Sequence, residues 1–431
     1  MDTVSATVSD DDVLDKFQRH ALDYFLLQAD PVTGLVADRD RPGSPASIAA
    51  TGMGLAAYAV AAERGWINRE EACRRTLTTL RFLWNSRQGP GRDASGHRGF
   101  FYHFLDMKTG QRAWNSELST IDTALLMAGV LVSGLYFDRD GEDEEEIRTL
   151  ADGLYRRVDW RWALNGGALI CHGWKPGRGF LPYRWLGYDE ALILYVLALG
   201  SPTYGIRPES YSAWLTGYRW KSIYGHEFVY AGPLFIHQFS HLWIDFRGIR
   251  DTFMHERGLD YFENSRRATF VQREYAIRNP RGFVGYDQNA WGLTASDGPG
   301  RQHQAIDGTR RSFFAYRARG VPFGPDDGTV SPWAAFASLP FAAEIVLPTI
   351  RHFHAIEEAD PAASGVSASF NPTFRTTQGD GWVSRDKVGI NEGPIVMMFE
   401  NHRSELIWRL LRRCPYVAGG LRSAGFIGGW L

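Results

Sequence analysis

The chain alternates between segments with apolar residues at helical spacing and long, glycine-rich connections. Apolar side chains that recur three and four positions apart share one face of an α-helix. The predicted helices are Asp11–Gln28, Ser47–Arg64, Arg69–Ser86, Leu118–Tyr136, Glu144–Val158, Asp189–Leu199, Pro208–Tyr218, Pro233–Trp243, Thr252–Ala276, Pro340–His354 and a last helix from about Asn391 or Glu392 to Arg413. Strand-like alternation is short and local, around Gly167–Cys171 and Gly381–Ser384. The pattern therefore predicts an all-α protein with minor β elements.

The connections between these helices are long and rich in aromatic residues. Four of them stand out, namely Gly89–Leu105, Gly166–Gly187, Arg278–Gly300 and Gly320–Pro332. Structureless loops longer than about 15 residues are uncommon and usually functional. A set of eleven or twelve helices joined by loops suits a closed ring of helical hairpins. Because no linker, composition shift or repeat divides the chain, we expect one domain over residues 1–431.

Composition adds a candidate ligand class to this picture. The chain holds 15 Trp, 18 Tyr and 26 Phe, together 14% of its residues. Buried tryptophan needs a partner for its N–H, so some of these rings are expected on a half-wet surface, although most can be core. Aromatic platforms beside carboxylates suit a sugar-binding cleft. The net charge of −2 gives no electrostatic reason to expect nucleic acid or an anionic membrane as a partner.

Cysteine usage and apolar runs limit the remaining classes. Three cysteines, far apart in sequence, support neither a disulfide framework nor a cysteine zinc site, and we predict no metal or cofactor. The longest apolar run, Ala191–Leu199, is too short to span a bilayer. The first residues lack a signal-peptide pattern, so a cytoplasmic location is expected if the chain is complete, and a periplasmic one if a signal was removed. The oligomeric state is left open.

Two carboxylates flank the start of the helix predicted over Leu118–Tyr136. Asp122 heads the apolar stripe of this helix, so it is expected to point inward, and Glu117 lies on the preceding loop. The alternative is structural, because Ser119 and Asp122 have the spacing of a capping box and acids in a first turn complement the helix dipole. The pattern alone leaves both interpretations open.

A second acidic position precedes the helix predicted over Asp189–Leu199. Glu190 heads its apolar stripe, and the loop before it supplies Trp174 and Tyr188. Asp189 and Glu190 could serve only as the N-cap and a partner of the helix dipole. However, two acids in equivalent positions are what glycosidic cleavage needs, one to protonate the leaving oxygen and one to activate water or attack carbon. Aromatic surroundings are expected to raise the pKa of the acid.

Other polar residues are candidates for binding a substrate. His237 and His241 have the spacing of zinc-binding histidines but lack the glutamate of that motif, so hydrogen bonds to a substrate or to the Asp245–Arg247 segment are the better interpretation. Asp297, Asp326 and Asp327 lie in turn-rich loops, where they could either grip sugar hydroxyls or serve turn geometry. Nucleophile-elbow and dinucleotide-binding motifs do not occur.

A series of short segments occurs in the order found in one known family. These segments are Ala46–Ala50, Glu63–Ile67, Gly99–Phe104, Glu117–Asp122, Tyr188–Ala191, Gly200–Thr203, Trp291–Pro299, Asp327–Pro332, Gly381–Ser384 and Gly393–Ile395. In them the chain resembles the bacterial glucoamylase-like family that includes endo-β-1,2-glucanases and the glucan-processing domains of cyclic β-1,2-glucan synthases. Two features depart from the family pattern, namely the Phe235–His241 segment and Glu392, where an uncharged residue is expected.

The resemblance implies an (α/α)6 barrel, or toroid, with acids matching Glu117, Asp122 and Glu190 at the cleavage point. The leading hypothesis is hydrolysis or transglycosylation of a β-linked glucan, with β-1,2-glucan or its cyclic, osmoregulated forms as substrate. Glu190 is the expected proton donor, with Glu117 or Asp122 on the other side of the bond, by an inverting or a retaining mechanism. The alternatives are another glucan or glucoside linkage, or a carbohydrate-binding protein without turnover.

The expected substrate contacts fall into two groups. Stacking on sugar rings is expected of four aromatic residues, Trp114, Trp174, Tyr188 and Trp291. Hydrogen bonding to hydroxyls is expected of seven polar residues, Asp189, His237, His241, Arg247, Asp297, Asp326 and Asp327.

Overall fold

The computed structural model describes residues 8–359, 368–377 and 379–431, and this part of the chain is mainly helical. Its α-helices are α1 Asp10–Leu27, α2 Ile48–Glu63, α3 Arg69–Asn85, α4 Thr120–Tyr136, α5 Glu142–Arg156, α6 Leu192–Gly200, α7 Pro208–Leu215, α8 Thr252–Glu256, α9 Tyr261–Arg278, α10 Pro332–Phe336, α11 Ala343–Ala359, α12 Gly389–Arg403, α13 Leu406–Arg412 and α14 Pro415–Ser423. The prediction of a mostly helical fold with minor β elements is confirmed.

The strands are short, and nearly all of them form two-stranded antiparallel sheets. They are β1 Ala46–Ser47, β2 Gly96–His97, β3 Phe100–Phe101, β4 Phe104–Leu105, β5 Leu118–Ser119, β6 Gly173–Lys175, β7 Gly179–Phe180, β8 Trp220–Ile223, β9 His226–Val229, β10 Ile249–Arg250, β11 Ala295–Ser296, β12 Gln302–Ile306, β13 Thr309–Phe313, β14 Arg317–Ala318, β15 Phe370–Thr376, β16 Gly379–Val383 and β17 Ile427–Gly428. One sheet has three strands, in the order β5-β6-β7. None of the described helices is long and apolar enough to cross a membrane.

Four helices form an inner row, and each is buried on nearly every side. Along α2 every residue from Ile48 to Ala61 is buried, and α4 and α6 are buried almost throughout. In this row α12 packs on α2, α2 on α4, and α4 on α6. The α2–α4 crossing depends on glycine, since a Cβ added to Gly129 would lie 2.0 Å from the carbonyl oxygen of Gly52. A side chain at either glycine would force the two helices apart.

A second set of helices covers the inner row and keeps a polar face toward solvent. Helix α1 packs on α12 and α2, α3 on α2 and α5, α5 on α4, and α14 on α6. The amphipathic pattern of α1, α3 and α5 follows from this position, because only one face of each is buried. The fold is therefore a double layer of helices around one continuous apolar core.

The N-terminal ends of α2 and α4 lie beside two pairs of short strands. Ser47 and Ser119 cap these helices with their side-chain oxygens, and each is the last residue of a two-residue strand. The backbone of His103 joins the two ends, since its carbonyl accepts from Ile48 N at 3.3 Å and its N–H donates to Glu117 O at 2.9 Å. The loops between outer and inner helices are thus drawn together at one end of the inner row.

Several predicted helices are interrupted where the backbone takes a left-handed conformation. The helix expected over Thr252–Ala276 is two helices, α8 and α9, and Gly258 between them has φ +67°. The expected last helix divides in the same way into α12 and α13 at Glu405, which has φ +59°. Apolar spacing continues across both breaks, so periodicity alone could not locate them.

Other boundaries also differ from the prediction. The helix expected over Pro233–Trp243 is only a 3-10 turn at Leu234–His237, and the strand expected over Gly167–Cys171 is replaced by β6. The helix expected from Asp189 begins at Leu192. Two short helices, α10 and α14, lie outside the predicted ones, and each begins at a proline, a residue that a helix accepts in its first turn.

Candidate active site

A cluster of two carboxylates and one imidazole lies at the starts of α2 and α4. His103 Nδ1 lies 2.9 Å from Glu117 Oε1 and 3.7 Å from Asp122 Oδ2. Asp122 is in the first turn of α4. Its backbone N–H donates a hydrogen bond to the capping Ser119 hydroxyl oxygen, and its carboxylate accepts one from the same hydroxyl. The sequence predicted both acids here, but not the histidine between them.

The charges in this cluster stabilise one another. Burial disfavours the charged form of His103, but Asp122 and the hydrogen bond to Glu117 outweigh it and raise the pKa of the imidazole to about 9. In return, the hydrogen bond from His103 lowers the pKa of Glu117 to about 2, against desolvation. At neutral pH the cluster therefore holds an ionised Glu117 beside an imidazolium.

Glu190 lies in the turn before α6 rather than inside the helix. Ser240 fixes this turn, since its hydroxyl accepts from Ile193 N at 3.0 Å and donates to Glu190 O at 3.4 Å. Burial, and then the negative charges of Asp122 and Asp189, raise the pKa of Glu190 to about 8. Glu190 is consequently protonated at neutral pH, whereas Glu117 is ionised.

Asp189, in the same turn, is held by two hydrogen bonds from neighbouring groups of the protein. Its Oδ1 accepts from Ala191 N at 3.0 Å and from Trp214 Nε1 at 3.2 Å. Burial nevertheless raises the pKa of Asp189 to about 7, because these two hydrogen bonds offset only part of the desolvation. The expected contact of Asp189 with a substrate hydroxyl stays a prediction.

An aromatic surface extends from the carboxylate cluster. Phe104 stacks on His103 with ring centroids 4.0 Å apart, and Trp114 packs on Phe104 at 5.0 Å. Trp114 remains 60% exposed. Trp174 is half-buried, and its strand pairs with β5, the strand that directly follows Glu117. Trp114 and Trp174 therefore remain candidates for stacking on a sugar ring.

Two other aromatic residues expected to stack on sugars are buried in the core. Trp291 is fully buried and donates its indole N–H to the Thr349 hydroxyl at 2.9 Å. Tyr188 is buried with its ring stacked against Tyr261, at a centroid distance of 5.9 Å. Trp291 has no exposed surface for a sugar, so the stacking prediction is wrong for it, whereas the expected stacking of Tyr188, which is 9% exposed, stays a prediction.

The two histidines at helical spacing are neutral core groups. His241 Nε2 lies 3.0 Å from the Ser265 hydroxyl, and His237 Nε2 lies 3.2 Å from the Ala231 carbonyl oxygen. Burial lowers the pKa of His237 to about 4 and that of His241 to about 3. Both side chains are only 1% exposed, so the prediction that they bind substrate hydroxyls is wrong.

Arg247 lies at the other end of the inner row. Its guanidinium pairs with Asp245 at 2.8 Å and with Glu405 at 2.7 Å, and it stacks on the Trp408 ring. Glu405 follows the C-terminal end of α12, whereas the carboxylate cluster lies beside helix starts. The prediction that Arg247 binds substrate is therefore wrong.

Asp326 and Asp327 bind side chains from other parts of the chain and so hold their loops in place. Asp326 accepts hydrogen bonds from the hydroxyls of Tyr275 and Tyr286 at 2.8 and 2.7 Å. Asp327 forms a bidentate ion pair with Arg319 at 2.6 and 2.9 Å, and both side chains are fully buried. Their expected role in binding hydroxyls is wrong, because the protein itself satisfies these carboxylates.

Asp297 belongs to a half-buried ion cluster that ties three loops together. Arg39 is its centre and pairs with Asp297, with Asp386 at 3.3 Å and with Asp38 at 3.3 Å. Asp38 also helps to raise the pKa of His103, so this ion cluster adjoins the carboxylate cluster. A contact of Asp297 with substrate stays a prediction.

Tyr316 is a further residue that the sequence analysis missed. Desolvation, and then Glu190, Asp297 and Asp38, raise its pKa to about 12, so its hydroxyl lies among the acids of the site. Its side chain is nevertheless 62% exposed. Neither Tyr316 nor Arg39 belongs to a motif, and only the folding of distant loops onto one place reveals them.

Comparisons with known proteins identify the family. The family model Glycoamylase, described as "putative glucoamylase", matches residues 182–415, which is more than half of the chain. The chain belongs to this family of glucoamylase-like proteins, and the resemblance predicted from the sequence is confirmed.

Three relatives carry more specific descriptions. A curated exo β-1,2-glucooligosaccharide sophorohydrolase of Parabacteroides distasonis is 30% identical over 98% of this chain, and the chain spans 59% of that protein's length. The structure of an endo-β-1,2-glucanase from Chitinophaga pinensis, in complex with sophorotriose and glucose, superposes with a TM-score of 0.86 at 28% identity, covering 99% of this chain and 100% of that one. A β-1,2-glucanase from Parabacteroides distasonis gives 0.85 at 26% identity, covering 97% of this chain and 60% of that one.

Proposed function

We propose that the chain is a glycoside hydrolase that cleaves β-1,2-linked glucan with Glu190 as its general acid. The observation that carries the proposal is the contrast between two acids that both interact with His103, since burial keeps Glu190 protonated at neutral pH while the hydrogen bond from His103 keeps Glu117 ionised. A pair of carboxyl groups divided in this way is what acid-assisted glycosidic cleavage requires. The β-1,2-glucan activities of the relatives support the linkage.

In the proposed reaction the acids act on opposite sides of the glycosidic bond. Glu190 donates its proton to the glycosidic oxygen as the bond from that oxygen to the anomeric carbon breaks. Glu117 or Asp122 acts on the other side, either by accepting a proton from the attacking water or by attacking the anomeric carbon. In the second case water then cleaves the glycosyl ester and gives its proton to the Glu190 carboxylate. A carboxylate beside an imidazolium remains ionised, which both of these roles need.

We further propose that the double layer of helices closes into an (α/α)6 barrel and that residues 1–431 form one domain. The order α12–α2–α4–α6 of the inner row, with an outer helix packed on each, supports a ring built from helical hairpins. In such a ring the starts of the inner helices share one end, as those of α2 and α4 do beside His103. The outer loops would then surround a single cleft.

The proposal is tested by incubating the protein with linear β-1,2-glucan, cyclic β-1,2-glucan, a β-1,3-glucan and an α-1,4-glucan. New reducing ends are expected from β-1,2-glucans and not from the other two. Because a cyclic glucan has no chain end, its cleavage would identify internal (endo) action. Products from the α-1,4-glucan alone would contradict the linkage, and binding without any products would contradict the enzymatic activity.

Trp114 is expected to bind a sugar ring of the substrate. The Trp114→Ala variant should raise the KM for β-1,2-glucan by about fivefold or more, since an exposed indole face contributes of the order of 1 kcal/mol or more to ligand binding. Trp84→Ala is the matched control, because Trp84 is also exposed but lies on the outer helix α3. Equal KM values for the two variants would contradict this role.

A further inference from the structure

His103 joins three parts of the active site through separate contacts. Its backbone bonds to Ile48 and Glu117 link the starts of α2 and β5. Its ring is held flat against Phe104, with an interplanar angle of 12°. In this position Nδ1 lies between the two carboxylates, 2.9 Å from Glu117 and 3.7 Å from Asp122. The same ring nitrogen therefore faces both acids.

We propose that His103 is a positioning residue whose Nδ1 holds the carboxylates of Glu117 and Asp122 in place on one side of the scissile bond. Without a cation between them, two carboxylates so close would repel each other, and one would take up a proton or turn away. The inference rests on the proposed function, because it assigns His103 a part in the same reaction. His103 acts through the two acids and needs no contact with substrate.

The groups that face His103 are mostly negative. Asp122, Glu117 and, from the loop before β1, Asp38 all favour its charged form, and only burial opposes them. His103 also acts on the proposed acid. Its positive charge lowers the pKa of Glu190, whereas burial, Asp122 and Asp189 raise that pKa.

Other charged groups near the cluster are too weak to replace the imidazole. Lys175 also lowers the pKa of Glu117, but its effect is smaller than the hydrogen bond from His103 and smaller than the charge of His103. The Lys175 amine donates to the Asn115 carbonyl oxygen at 3.1 Å. His172 lies near Glu117, but burial lowers its pKa, so it is neutral at pH 7. His103 is therefore the main source of positive charge for Glu117.

The test is the pH dependence of kcat/KM for β-1,2-glucan in His103→Gln, compared with wild type between about pH 4 and 10. Glutamine keeps a hydrogen-bond donor but removes the charge. The pKa of Glu117 should then rise from about 2 toward its ordinary value of 4.5, and the pKa of Glu190 should rise above 8. An acidic limb that lies below this range in wild type is thus expected to enter it in the variant, and the basic limb is expected to move upward.

The ratio of variant to wild-type activity is therefore expected to increase with pH. A lower activity with the same ratio at every pH would show a merely structural role and overturn the inference. The control is His226→Gln, because His226 also stacks on a phenylalanine, Phe270, but lies on the β8–β9 hairpin. Its pH profile should match that of wild type.

A second measurement does not depend on glucan cleavage. Nuclear magnetic resonance of histidine-labelled protein should show one imidazole that titrates near pH 9 and disappears in His103→Gln. Titration of that imidazole near 6.5 would overturn the inference even in an inactive protein. If wild type cleaves no glucan but His103 titrates near pH 9, the proposed function is wrong, whereas the positive charge of His103 beside the two carboxylates is confirmed.

Discussion

Replacing Glu190 with glutamine is expected to lower glucan turnover by about 10²–10⁴-fold, the usual contribution of a general acid. Glutamine has nearly the same size and hydrogen-bonding capacity as a protonated glutamic acid, so the turn before α6 should be retained. It cannot release a proton to the glycosidic oxygen. The loss should therefore fall on kcat, with KM changed much less, in an assay of reducing ends released from β-1,2-glucan.

Glu392→Gln is the matched control for this variant. Glu392 is a buried acid in the first turn of α12, and burial raises its pKa to about 7, so it resembles Glu190 in burial and protonation. The groups that act on it are Lys387 and Asp40 rather than the carboxylate cluster, so its turnover should stay near that of wild type. If Glu190→Gln retains turnover within about tenfold of wild type, the assignment of the acid is wrong.

Arg319→Met is expected to lower the free energy of unfolding by about 3–5 kcal/mol. The guanidinium is fully buried with Asp327, and removing it leaves a carboxylate without a countercharge in the interior. Methionine fills much of the same volume, so the loss arises mainly from the unpaired charge and not from a cavity. Urea denaturation, with the midpoint and the slope both reported, measures the effect.

The control for the stability prediction is the same substitution at an exposed ion pair. Arg81 pairs with Glu146 between α3 and α5, where about half of the arginine side chain is in solvent. Arg81→Met should cost less than about 1 kcal/mol, because exposed pairs contribute little. Similar losses for the two variants would contradict the explanation based on burial of an unpaired charge.

Local pattern marked the three candidate acids more clearly than the candidate binding residues. Glu117, Asp122 and Glu190 each precede or begin an apolar helix, and the family pattern gave these positions a meaning beyond capping. Most of the polar residues expected to bind substrate had no predicted helix start to support their assignment. Asp327 and His241 proved to be buried and satisfied by neighbours that lie 8 and 24 residues away in the chain, which no local pattern reveals.

Local pattern determined the helical class of the fold, the approximate extent of most helices and the acidic residues at their starts, because helical periodicity and capping depend on neighbours a few positions apart. Tertiary structure alone decided the breaks at Gly258 and Glu405, the burial of Trp291, and the position of His103 between two carboxylates. These features depend on backbone conformation and on contacts between distant segments, and a histidine in an aromatic loop gives no sign of its partners until the loops fold together.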